Sequence, residues 1–381
     1  MSNKKPGLVI FYDHFYPAYK AGGPIQSLTN LVLYLQDTYK ISFITSAYDL
    51  NDHNILDGVN TDKWTTVNLP GAGTAVNVWY AKKGNMGMSA IREAVRQADP
   101  DFIYLNGMFS YAFMLVPLML FRKHKIVICP RGMLQKGALA GKALKKKVYL
   151  YLLKMSGLCK MVTWHATNTE ELNDIMAVFG PGAKVMVAGN IPRKPVKIIT
   201  PGQKRPGELH LVYLSLISAK KNLLQLVNII GAMEENITLD IYGPVKDETY
   251  WLKCLNVINR NDGKIKYKGD VLPGAVQGIF EKYDASVLLT KGENFGHALY
   301  ESFSAGRPVI TSYFTPWEHL VEKNAGWNID ITHPNELNSV LKRLCNMEES
   351  AYAVYYTGAH QLAKEYYRAV FETGEYKRLF S

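Results

Sequence analysis

Two carboxylates eight positions apart, Glu293 and Glu301, bracket the run Lys291-Gly292-Glu293-Asn294-Phe295-Gly296-His297-Ala298-Leu299-Tyr300-Glu301. This run follows a short apolar stretch at 285–289 and opens a segment with helical periodicity, so it reads as strand, loop and helix start. Gly292 and Gly296 permit tight turns and close approach of a ligand. Backbone N–H groups at a helix N-terminus can cradle phosphate oxygens. Carboxylate oxygens each accept two hydrogen bonds, which suits the hydroxyls of a sugar. A capped helix with two solvated glutamates is the plain alternative. The glycines, with a strand before and a helix after, weigh against it.

Further candidates lie at other junctions of strand and helix. Ser218-Ala219-Lys220-Lys221-Asn222 follows an apolar stretch at 209–214 and places two ammonium groups at a helix start. Gly22-Gly23-Pro24 stands between the first strand-like run and an apolar stripe over 25–36. Arg131, in Pro130-Arg131-Gly132, has the fork that binds a phosphate with two hydrogen bonds, or forms a structural ion pair. His165 reads as a core histidine, whereas His297 sits inside the glycine-flanked loop. The pair Asp99-Pro100-Asp101 has the residue types of a metal site but the look of a turn before a strand.

Short apolar runs at 8–12, 41–45, 76–81, 102–105, 126–129, 161–165 and 185–188 predict parallel strands with helices between them. Four prolines between 190 and 208 interrupt the alternation, which restarts with strands at 209–214, 238–242, 265–268, 285–289 and 309–311. The expected organisation is an N-terminal domain over 1–190, a linker over 191–208, a second domain over 209–362 and a helical tail over 363–381 that packs back toward the first domain. The fold class is α/β, with doubly wound sheets that bind ligands beyond the carboxyl ends of their strands.

The chain has 381 residues and a net charge of +11, and residues 102–169 hold 11 Lys/Arg with no Asp or Glu. Such a face suits anionic partners, the membrane surface foremost; no nucleic-acid motif accompanies it. The run from Lys142 to Lys154 reads either as a basic amphipathic helix lying in a membrane interface or as a helix with a solvated basic face. The apolar stretch 108–121 contains Pro117 and is too short to span a bilayer, so it predicts a buried helix. Lys4 and Lys5 lead straight into the first strand without the features of a secretory leader, and the four cysteines form no Cys-x-x-Cys pair. Both favour a cytoplasmic protein, and the basic face favours a peripheral place on the inner face of the membrane.

The spacing of Glu293 and Glu301 resembles the signature of retaining glycosyltransferase family four, the glycosyl transferases group 1. Ser304-Ala305-Gly306, Arg307-Pro308-Val309-Ile310, Thr315-Pro316-Trp317, Gly189-Asn190 and Ile241-Tyr242-Gly243-Pro244 add to the likeness. The resemblance implies a GT-B type fold, two facing Rossmann-like domains with a cleft between them. It implies sugar transfer from a nucleotide-sugar donor to a glycan or lipid-linked acceptor with retention of configuration, in cell-surface polysaccharide or lipopolysaccharide synthesis. No cofactor and no metal are implied.

Carried over, Glu301 meets the donor ribose and Glu293 the transferring sugar. Lys221 and the amides of Phe295 and Gly296 meet the pyrophosphate, within a loop that also holds Asn294 and His297. Gly269 to Val271 lie near the base, and Gly22 and Gly23 reach toward donor and acceptor. Glu293, Lys221 and Arg131 are the expected catalytic group. The family's arginine before the lysine is replaced by Leu216, which cannot donate hydrogen bonds. That departure keeps a second expectation alive, a non-catalytic protein of the same fold that binds membrane or polysaccharide.

Overall fold

The computed structural model describes residues 5–70, 74–84, 87–140, 143–195, 204–261 and 263–381. Lys4, Lys142 and most of the proline-rich stretch, 196–203, lie outside them. The chain divides into two compact units, Met1–Ile191 with Glu372–Ser381, and Pro192–Phe371.

The first unit is built on β1 (Gly7–Phe11), β2 (Lys40–Ser46), β3 (Trp64–Asn68), β4 (Ala75–Ala81), β5 (Phe102–Asn106), β6 (Lys125–Cys129), β7 (Thr163–Ala166) and β8 (Val185–Val187). Their order in the sheet is β3-β4-β2-β1-β5-β6-β7-β8. All neighbours run parallel except β3, which pairs antiparallel with β4 at the edge. Every residue of β1 and of β5 is buried, as expected for strands covered on both faces. The sequence periodicity misses β3 because Trp64-Thr-Thr-Val-Asn68 is half-exposed, with polar residues on the open face. Asp99-Pro100-Asp101 serves as a turn: the Asp101 carboxylate accepts from the Gly7 amide at 2.7 Å and the Asp101 amide donates to the Gly7 carbonyl at 2.9 Å. The stretch around Pro117 is helical, with a π-turn at Tyr111–Leu115 leading into Val116–Leu120. One of the π-turn's first amides is met by Ser110, whose hydroxyl accepts from the Phe113 amide at 3.2 Å.

The second unit holds β9 (Glu208–Leu214), β10 (Asn236–Tyr242), β11 (Ile265–Tyr267), β12 (Ala285–Leu288), β13 (Val309–Ser312) and β14 (Gly326–Ile329). They form an all-parallel sheet in the order β11-β10-β9-β12-β13-β14. The edge strand β14 was not foreseen; it is four residues long and opens on glycine. Lys204 belongs to this unit's interior, its ammonium held by the carbonyls of Arg205, Glu208 and Cys345 at 2.8, 2.6 and 3.1 Å. Cys345 ends the helix Pro334–Cys345, where carbonyl dipoles favour a cation. The long helix Glu349–Thr373 packs on this core through Tyr352, Tyr355, Tyr356 and Ala359.

In each sheet the strand order reverses once near the middle, between β1 and β5 and between β9 and β12. At such a reversal the helices leaving the two strands cover opposite faces, and a crevice opens beyond the strand ends.

Candidate active site

The second unit's reversal point brings Lys221 and Glu293, two of the predicted donor residues, together. The loop after β9 carries Lys220 and Lys221; the loop after β12 carries Lys291 and Glu293. The Lys291 amide donates to the Lys220 carbonyl at 2.8 Å, and the Lys221 ammonium forms an ion pair with the Glu293 carboxylate. Both side chains of that pair are largely enclosed. A third loop braces the second, since the Glu293 amide donates to the Phe314 carbonyl at 2.8 Å beyond β13. Partial desolvation, with Lys221 and Lys246 nearby, pushes the Lys220 ammonium down, against the pull of Glu293.

The helix His297–Ser304 starts at Gly296, whose φ of 78° lies in the left-handed region. A Cβ there would stand 2.9 Å from Leu299 Cδ1 and 3.1 Å from Glu293 Cγ, so the turn has room for glycine alone without a shift. Phe295 is anchored in an aromatic cluster: its carbonyl accepts from the Trp317 indole at 2.6 Å and its ring packs near Tyr300, Trp317 and Tyr366. This fixes the loop backbone from beneath while Asn294 and His297 stay partly exposed. The His297 ring meets that of Phe295 edge-on at 4.7 Å.

Glu301 sits one turn into the helix in a poorly hydrated setting. Burial lifts its carboxyl to about 7, against the opposing effect of Arg193. Arg193, read from the sequence as linker, is part of the same environment: its carbonyl accepts from the Tyr300 hydroxyl at 2.9 Å. Gly269 follows β11 with φ 83°, and its carbonyl accepts from the Gly243 amide at 3.0 Å, tying the ends of β10 and β11 together. Val271 packs against the buried cluster of Val212, Val276, Phe280 and Ala305, as does Ala298 of the helix that carries Glu301.

Leu216 is half-buried where the resemblance places an arginine. The structure brings up a cation that sequence reasoning missed. The Lys246 amide donates to the Ile217 carbonyl at 3.1 Å, and its exposed side chain is close enough to Lys220 for the two charges to interact. The Ile217–Val245 bridge, an irregular pairing beyond β9 and β10, makes this approach, and no spacing rule marks it.

In the first unit, residues at the strand ends form a hydrogen-bonded network. Arg131, at φ 56°, donates to Asn106 Oδ1, Asn190 Oδ1 and the Tyr104 hydroxyl at 2.9, 2.9 and 3.1 Å. Three of its five donors are thus engaged within its own unit, by neutral partners and by no carboxylate. His165 is a core residue. Its Nε2–H donates to the Ala188 carbonyl at 2.8 Å, its Nδ1 accepts from the Tyr104 hydroxyl at 2.7 Å, and burial lowers it to about 3. Gly22 caps the helix Gly23–Leu35 at φ 71° and stands partly exposed with Gly23. Ser27 on that helix donates to Asn190 Oδ1 at 3.0 Å, so the Gly22 loop and the Arg131 turn share one anchor.

Residues 196–361 match the family described as glycosyl transferases group 1. No curated protein matches the chain in sequence. Among solved structures, a sucrose-phosphate synthase (tll1590) from Thermosynechococcus elongatus superposes with TM-score 0.75 at 14% identity, covering 99% of each chain. Anabaena Alr3699/HepE in complex with UDP and glucose gives TM-score 0.70 at 13% identity, over 97% of this chain and 98% of that one. WaaG, a glycosyltransferase involved in lipopolysaccharide biosynthesis, gives 0.66 at 13% identity over 97% and 98%. At these identities the likeness is one of fold, and the fold is GT-B.

Proposed function

We propose that this chain, whose residues 196–361 match the glycosyl transferases group 1, moves a sugar from a nucleotide-sugar donor to an acceptor with retention of configuration. The observation that carries this reading is the meeting of Lys221, Glu293 and the Gly296 helix start at the reversal point of the second sheet. A cation, a carboxylate and helix-start amides are the groups a nucleotide sugar requires. Lys221 and the amides of Phe295 and Gly296 take the pyrophosphate, Glu293 a sugar hydroxyl, and Glu301 the ribose. Gly269 and Val271 border the base, and Asn294 and His297 line the loop. When no donor is bound, Lys221 and Glu293 satisfy each other; the donor's phosphate displaces one partner and its sugar engages the other.

In the reaction the bond from the anomeric carbon to the pyrophosphate breaks and the bond to the acceptor oxygen forms on the same face. The acceptor proton passes to the leaving phosphate oxygen. Charge growing on that phosphate is met by Lys221 and the helix-start amides, without a divalent cation. Lys246 and Lys220 supply the positive charge that Leu216 does not. Neither glutamate acts as a covalent nucleophile. Arg131 holds the strand-end network on which the Gly22–Gly23 loop rests, and its two remaining donors are what it has to offer an anion.

Anabaena Alr3699/HepE was solved with UDP-glucose and WaaG is involved in lipopolysaccharide biosynthesis. Both favour a UDP-sugar donor and a cell-surface glycan on a lipid carrier as acceptor, used at the cytoplasmic face of a membrane. The test is donor hydrolysis across a panel of nucleotide sugars, with the anomer of the released sugar followed by NMR. Release of one sugar with its configuration kept supports the reading. A protein that binds nucleotide but hydrolyses and transfers nothing is a binding protein of this fold.

A further inference from the structure

The run from Lys142 to Lys154, read either as a basic amphipathic helix lying in a membrane interface or as a helix with a solvated basic face, forms the helix Ala143–Met155 over its described residues. The outward face of that helix is apolar. Leu144, Val148, Tyr151, Leu152 and Met155 are each between 50% and 76% exposed, while Leu150 and Leu153 are buried. At about 100° per residue, the five exposed side chains fall within an arc of about 100°. Lys145 stands on one border of that arc and Lys147 and Lys154 on the other, all exposed. The buried leucines point the opposite way, into the core of the first unit. Met161, in the single turn that follows, is 86% exposed. A helix resting on its own core ordinarily turns polar residues to water, and contiguous apolar patches of this kind mark interaction sites.

We propose that this ridge inserts into the headgroup–acyl boundary of an anionic lipid bilayer, with the flanking lysines at the phosphate level. The proposal deepens the membrane partnership of the reading above by naming the surface that makes it. Charge selects this occupant. The ridge lies in a stretch, 102–169, with 11 Lys/Arg and no carboxylate to repel lipid phosphates. The lysine stems border the apolar arc, so their ammonium groups can rise to the headgroups while the leucines go deeper. Tyr151 within the arc suits the interface, with an apolar ring and a polar tip. Attachment therefore has two parts, an electrostatic one that salt screens and an apolar one that it does not.

The test is flotation of the full chain with phosphatidylcholine vesicles, with and without phosphatidylglycerol, at low salt and near 1 M, where the Debye length is about 3 Å. Wild type should float with anionic vesicles at low salt and keep a residual fraction at high salt. The triple variant Leu144→Gln, Leu152→Gln, Met155→Gln should partition at least about tenfold more weakly at both salts. The variant Lys145→Gln, Lys147→Gln, Lys154→Gln should lose the salt-sensitive part alone. A Tyr151→Trp reporter should shift its emission to the blue when anionic vesicles are added. All three variants should bind UDP as wild type does, because the substitutions are exposed and lie in the other unit.

Apolar substitutions that leave flotation unchanged, or an indole that does not shift, would overturn the proposal. A wild-type dimer that the apolar triple variant converts to monomer, with no vesicle binding by either, would overturn it in favour of a second copy on the ridge. Vesicle binding needs no sugar donor, so this result and that of the donor-hydrolysis assay stand or fall separately.

Discussion

On the proposed ribose contact, nucleotide affinity should rise with pH through the neutral range, because accepting hydrogen bonds from both ribose hydroxyls takes the ionised form of Glu301. Burial holds its carboxyl at about 7 in the unliganded chain. At pH 6 about one-tenth of the molecules carry the carboxylate, and at pH 8 about nine-tenths do. If only the ionised form binds well, apparent affinity changes about tenfold between those values, or about 1.4 kcal/mol. Such a contact stabilises the charged form, so the group's pKa should fall on binding and a proton should be released below pH 8. The same burial acts on folding with the opposite sign. A carboxyl raised above its usual 4.5 contributes stability that is present at acid pH and lost as pH climbs through about 7. Glu301→Gln should therefore be the more stable protein at pH 8 and the weaker binder there, by about 1.5–3 kcal/mol.

The assay is isothermal calorimetry of uridine and of UDP at several pH values, in two buffers of different ionisation heat. Uridine has no phosphate to titrate, and Glu301→Gln supplies the baseline for everything other than this carboxyl. An affinity for uridine that is flat from pH 6 to 8, or a pH slope that survives in Glu301→Gln, would refute the ribose assignment.

Three further expectations follow from other parts of the molecule. Transfer should persist in excess chelator, since Lys221 and the helix-start amides are proposed to take the charge of the leaving phosphate; loss of turnover in EDTA with recovery on adding magnesium or manganese would sink this. His165 is held neutral at about 3 against 6.5 for the free residue, so it contributes stability that is full above pH 6.5 and drains away as pH falls toward 3. Wild type should thus lose about 2–3 kcal/mol more than His165→Gln between pH 7 and 4.5 in denaturant titrations. Gly358→Ala would bring a Cβ to 2.3 Å from the Asn324 carbonyl and 2.5 Å from that of Lys323, both backbone atoms. The helix must lift off the turn beneath it, so the midpoint of urea unfolding should fall by the equivalent of about 3 kcal/mol or more, where an ordinary helical Gly→Ala would be stabilising.

Local chemistry determined much of this protein in advance. Strand runs with helical patterns between them spelled out two doubly wound sheets, because apolar residues in β-branched clusters have few other ways to be buried. The glycines around Glu293 and its distance from Glu301 placed one carboxylate in a loop and the other one turn into a helix, which depends only on backbone geometry. What tertiary structure decided were the meetings between distant segments. Lys221 and Glu293 stand 72 residues apart, and the strand order alone brings their loops to one point. Lys246 beside Lys220, and Arg193 beside Glu301, carry no mark in the sequence, since charge interaction depends on distance in space. Arg131 had the chemistry of a phosphate ligand, yet three of its donors are taken by Tyr104 and Asn106 of β5 and by Asn190 beyond β8. The helix Ala143–Met155 shows the limit most clearly. Its sequence contains two apolar stripes, one with Leu150 and Leu153 and one with Leu144, Leu152 and Met155. Periodicity treats them alike, because burial is set by what the rest of the unit lays against each face.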